Sequence, residues 1–151
     1  MQTSNFIASV ALIISLFSIW LQDRGIRKQL LLANISAYTK RYQEIFEKFP
    51  KDVLDENFKL DSFSKDNQEK ILRIMWVYFD LCNEEYTLYH ELNLLDKKIW
   101  NIWELSMTSA FQRPSFYQCW NVISAHSVYP KSFYKFVNDK MIQLHNSGRR
   151  I

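Results

Sequence analysis

The chain has 151 residues, 48% apolar and 16% aromatic, with two glycines and three prolines. It has too much to bury for a disordered protein and too few turn residues for an all-β fold. A net charge of +3 on dispersed bases argues against a nucleic-acid surface, and two cysteines do not make a disulfide framework. The expected fold class is all-α: an N-terminal transmembrane helix followed by a small cytoplasmic bundle of about five helices.

Residues Met1 to Gln22 carry no charge, and Phe6 to Leu21 reads FIASVALIISLFSIWL. Roughly twenty helical residues cross a hydrocarbon core, and Thr3 to Gln22 supplies that length. The apolar residues lie all round the helix, as lipid exposure requires. No base precedes the run and bulky Trp20 to Arg24 follows it, which argues against a cleaved signal peptide. Arg24, Arg27 and Lys28 set the topology by the positive-inside rule: N-terminus outside, residues 23–151 in the cytoplasm, a single-pass inner-membrane protein. The bilayer is thus the first expected partner. Ser4, Ala8, Ala11, Ser15 and Ser18 put small residues on one face, where two spans could approach closely. Trp20 falls where an interfacial aromatic belt sits.

A second seam follows. Leu31, Ile35, Tyr38, Tyr42, Ile45 and Phe49 are spaced four, three, four, three, four, which predicts a juxtamembrane amphipathic helix ending at Phe49-Pro50. Its stripe suits either a partner helix or the protein's own domain. Gly25 reads as a joint between the two helices. The organisation is then span and hinge 1–25, juxtamembrane helix 26–50, loop 51–66, bundle 67–145 and tail 146–151. With both seams acting together, a homo-oligomer is expected.

Lys51 to Ser64 reads as a connecting loop and the most mobile internal segment. Asp66 and Glu69 resemble a capping box opening the central helix, about 67–92, whose stripe is Leu72, Met75, Phe79, Cys82, Tyr86 and Tyr89, widened by Ile71, Ile74 and Tyr78. Asn93 suits a left-handed cap after it. Asp96 caps a helix over 97–111 with Ile99, Trp100, Trp103, Met107 and Ala110 inward. Arg113-Pro114-Ser115 breaks the chain before a short helix carrying Phe116, Cys119, Trp120 and Ile123. A last helix starts at Pro130, with Phe133, Phe136, Val137, Met141 and Leu144 as its stripe.

The stretch Trp76 to Tyr86 (WVYFDLCNEEY), with Leu95-Asp96, Trp100-Asn-Ile-Trp103, Pro114-Ser-Phe116 and Trp120, resembles a widespread family of short, uncharacterised prokaryotic proteins with one N-terminal span and a small helical domain. The resemblance implies a membrane-anchored helical protein and lends no activity.

Candidate chemistry is sparse. Glu84 and Glu85 stand inside the apolar pattern of the central helix, near His90 and Glu91, but paired Glu-x-x-His motifs for a metal are missing. One Glu is expected in water and the other bonded inside. No spacing indicates a triad, a phosphate loop, His-Glu-x-x-His or Cys-x-x-Cys, so neither an enzyme nor a cofactor is expected. Tyr129 to Phe136 interleaves bases and aromatics, but the core needs Phe133 and Phe136, so nucleic acid is not an expected partner. Trp76, Trp100, Trp103 and Trp120 are read as core, with one or two lining a groove for a partner helix or peptide. The expected function is a membrane-anchored helical protein that binds or regulates a protein partner at the cytoplasmic face. The alternatives are a membrane-perturbing effector of a toxin-like or phage-defence system and, more distantly, a helical hydrolase.

Overall fold

A computed structural model describes the backbone of residues 2–147 and, within it, the side chains of residues 15, 17–26, 29 and 32–142. It contains five α-helices and two short 3₁₀ turns, with no strand among the described residues. The all-α class follows from this. Contacts divide the chain into two compact units, Met1–Glu44 and Ile45–Ile151.

Helix α1 spans Gln2–Lys48 and runs through Gly25 without a break, so the expected joint is absent. One glycine costs a helix about 1 kcal/mol, which is too little to stop 47 residues of helix. The helix ends at Lys48, before Phe49-Pro50, because the residue before proline is pushed out of the α region. Among the described residues no helix is long and apolar enough to cross a membrane. The expected transmembrane helix therefore finds no support in the described part of α1, where Gln22, Asp23 and Arg24 close the apolar stretch. Side chains 6–14, which carry most of the expected span, lie outside the described residues.

The second unit is built on α2 (Lys65–His90), which buries Ile71, Met75, Tyr78, Phe79, Leu81, Cys82, Glu85 and Tyr86. It packs against α3 (Lys97–Phe111) and α4 (Pro114–His126), while α5 (Lys131–Ser147) packs against α3. Phe79 sits at the centre, its ring 5.6 Å from Phe111 and 4.7 Å from Trp120, while Tyr78 meets Phe116 edge-on at 4.9 Å. Each such buried ring contributes about 1.5–3 kcal/mol of hydrophobic free energy.

The helix ends differ in how they are satisfied. At the start of α2 the Asp66/Glu69 box does not form: the N-cap is Ser64 without a side-chain bond, and Gln68 Nε2 donates to the Phe63 carbonyl at 2.7 Å. At its end Asn93 takes φ 52°, and the Leu94 N–H returns to the Leu88 carbonyl at 2.9 Å, as the left-handed cap expects. Asp96 caps α3 by accepting from the Lys98 N–H at 2.7 Å. Pro114 opens α4, where its missing N–H costs nothing.

Residues 51–64 are not a free loop. Two 3₁₀ turns (Lys51–Leu54 and Leu60–Ser62) bury Val53 and Leu60, and Phe58 between them is buried too. The segment is a strap, fastened to the start of α4 by side chains that act as backbone partners. Ser115 Oγ donates to the Val53 carbonyl at 2.6 Å, and Arg113 Nη1 to the Leu54 carbonyl at 3.1 Å. Gln118 donates Nε2 to the Phe58 carbonyl at 2.7 Å and accepts the Leu60 N–H on Oε1 at 2.9 Å.

Candidate functional site

In the first unit, Phe17, Ile19, Trp20 and Leu21 are exposed within five residues, pointing round more than half of the helix. The Trp20 ring stacks on Phe17 at 5.7 Å, and the Arg24 guanidinium lies 3.8 Å from its centroid on the next turn. Ile26 and Leu32 are exposed further along, as are Ser15 and Ser18 of the small-residue face. The side chains of Ala8, Ala11, Arg27, Lys28 and Leu31 lie outside the described residues.

The heptad-like seam splits between the two units. Ile35, Tyr38 and Tyr42 are half-buried, whereas Ile45 is buried in the second unit and Phe49 meets Phe116 there at 5.9 Å. The lower end of the seam therefore serves the internal core and is closed to another helix. Three-four spacing marks a buried stripe but does not say what buries it.

Of the two candidate interior carboxylates, Glu85 is buried at 2% exposure and Glu84 is exposed. Trp100 and Trp120 are core residues, not groove residues. Trp100 stacks on Tyr89 at 5.0 Å with His90 edge-on at 4.9 Å. Trp120 Nε1 donates to Asn138 Oδ1 at 2.8 Å, which satisfies the buried indole. Trp103 is half-buried and Trp76 exposed. Both cysteines are buried and neither is in a disulfide, and burial pushes the Cys119 thiol up to about 12. Burial, and then the hydrogen bond to Asp80 at 2.7 Å, raise the Tyr129 phenol. No group of three or more metal-ligating side chains occurs among the described residues.

Among the described residues, the second unit opens in clefts at two places, neither with a tryptophan in its wall. One, of about 640 Å³, lies between Lys48, the strap and the start of α2, with bases Lys48, Lys70 and Arg73 and acids Asp52, Asp66 and Glu69 in its wall. The other, of about 330 Å³, lies at the corner between α3 and α4, with Phe111, Pro114, Tyr117 and Met141 in its wall beside Gln112, Arg113 and Gln118.

Sequence reasoning passed over the outer face of α3. Ile102 and Leu105 are 65% and 72% exposed, on a ridge with Lys98 and Ser109. The helix's one acid, Glu104, is turned aside and held by Lys140 at 2.6 Å. The available signal was that both aliphatic residues fall off the inward stripe of Trp100, Trp103, Met107 and Ala110. The candidate functional surfaces are thus the aromatic turn of α1 and the outer ridge of α3. Comparison with protein-family models, curated proteins and solved structures finds no match to this chain.

Proposed function

We propose that the protein is a membrane-anchored helical adaptor: the N-terminal part of α1 inserts in the bilayer, and residues 45–151 form a domain that engages a protein partner at the cytoplasmic face. The observation that carries this reading is the exposure of Phe17, Ile19, Trp20 and Leu21 with Arg24 folded over the indole. Removing such side chains from water gains about 1.5–3 kcal/mol each, and a guanidinium over an interfacial tryptophan suits the headgroup layer. In sequence, the uncharged run from Met1 to Gln22 has the length of a span. The bases Arg24, Arg27 and Lys28 after it support an N-out orientation.

Binding is preferred to catalysis because the well-placed polar side chains of the second unit join elements to one another. Ser115 and Gln118 hold the strap, Trp120 holds Asn138, Tyr129 holds Asp80 and Lys140 holds Glu104. Extraction of cell membranes with alkaline carbonate tests the anchor. The full chain should stay with the pellet, and Ile13→Asp with Leu16→Asp should move it to the supernatant. Release of the unaltered chain would overturn the reading.

A further inference from the structure

The cleft of about 330 Å³ at the corner of α3 and α4 has one charged side chain in its described wall, Arg113, and no acid there. Its apolar side is made by Phe111, Pro114, Tyr117 and Met141. Phe111 and Met141 belong to the core, and Phe111 is held by its stack on Phe79 at 5.6 Å. On the polar side, the Gln118 amide is engaged by the strap: it donates to the Phe58 carbonyl at 2.7 Å and accepts the Leu60 N–H at 2.9 Å. Arg113 has N–H donors to spare. The bond from Nη1 to the Leu54 carbonyl at 3.1 Å uses one of them and steadies the guanidinium. Asp55 and Glu56 follow Leu54 in the strap, but neither is in the described wall of the cleft.

We infer that this cleft is a binding site for a small carboxylate with an apolar body, the body lying on the apolar wall and the carboxylate on the remaining N–H donors of Arg113. The volume is at the lower end of the range for small-molecule sites, about 300–1,000 Å³. An ammonium ligand would meet a guanidinium with no acid in the described wall to pair with. An uncharged one would cover part of the cation without pairing it, which costs free energy. Inorganic phosphate would pair with Arg113 but leave the apolar wall in water. A carboxylate on an apolar body satisfies both walls, and the planar guanidinium matches its two oxygens as a fork. Phe111, Gln118 and Arg113 are each held by contacts within the fold, so little ordering is needed when the ligand arrives. The site belongs to the second unit alone, goes beyond the adaptor reading, and needs neither the anchor nor a protein partner.

Titration of the full chain in nonionic detergent at neutral pH tests it, with 3-phenylpropionate as the probe and 3-phenylpropanamide as its uncharged counterpart. Met141 is in the wall, whereas Met75 and Met107 are buried outside it, so their labelled methyl resonances separate binding in the cleft from binding elsewhere. The carboxylate should shift the Met141 methyl saturably, and the amide should bind roughly tenfold more weakly. Gln112→Glu adds an acid to the wall at an exposed position. It should keep the parent's unfolding temperature, weaken the carboxylate roughly threefold or more and leave the amide unchanged. Arg113→Gln should bring the carboxylate down to the level of the amide. If that variant loosens the strap and unfolds at a lower temperature, Gln112→Glu decides alone. Absence of a saturable shift at Met141, equal binding of the two probes, or a carboxylate affinity indifferent to Gln112→Glu would each overturn the inference.

Discussion

Ser115 and Gln118 hold the second unit together in a way their sequence context conceals. Ser115 is fully buried and its hydroxyl donates to the Val53 carbonyl, 62 residues away. Ser115→Ala removes one oxygen and leaves a buried carbonyl to be desolvated alone, at about 1–3 kcal/mol. The control is Ser106→Ala, where an exposed hydroxyl bonds the Ile102 carbonyl of its own helix at 3.0 Å and its loss should cost little. Thermal unfolding of the full chain in detergent should show a drop of several degrees for the first and almost none for the second. Equal shifts would mean that the strap is not fastened through Ser115. Lys51 to Ser64 reads as a loop because nothing local reveals partners some sixty residues downstream. Pro114-Ser115 was legible as the start of a helix, but not as a clamp. For Glu84 and Glu85 the sequence expects one inside and one in water without saying which; the structure buries Glu85, three residues after Cys82 in the buried stripe, and leaves Glu84 outside.

At the scale of elements, the periodic helices were readable and the junctions were less so. The bounds of α3 match the expected 97–111, since Asp96 supplies the cap and Arg113-Pro114 the stop. The start of α2 departs from expectation because the Gln68 amide, not Asp66, meets the backbone there. At Gly25 a residue that reads as a joint lies inside one continuous helix, because the flanking residues form helix well. A Cβ at position 25 would meet nothing within 4 Å. Gly25→Ala should therefore stabilise this part of α1 by about 0.5–1 kcal/mol, read as slower amide exchange around residues 21–29. Faster exchange in the alanine variant would show that the glycine is needed as a joint.

For the whole molecule, the composition sufficed for the all-α class, and the apolar stripes sufficed for most of the core of Ile45–Ile151. Which apolar residues remain exposed was less legible, because that depends on where the neighbouring helices lie. Trp100 and Trp120 turned inward, while Ile102 and Leu105 stayed outside. Exposed apolar surfaces result on each unit, and the proposed function gives the aromatic turn of α1 to the bilayer.

The central claim is that α1 anchors the chain in the membrane with residues 45–151 on the cytoplasmic side, and single cysteines tested with a membrane-impermeant maleimide address it most directly. The native thiols are buried, so Phe17→Cys and Glu44→Cys report on their own positions. The account predicts that Phe17→Cys stays unlabelled in intact and inverted membrane vesicles until detergent is added, and that Glu44→Cys is labelled in inverted vesicles alone. Labelling of Phe17→Cys in intact membranes at the rate of an exposed thiol, or labelling of Glu44→Cys from the outside, would contradict it.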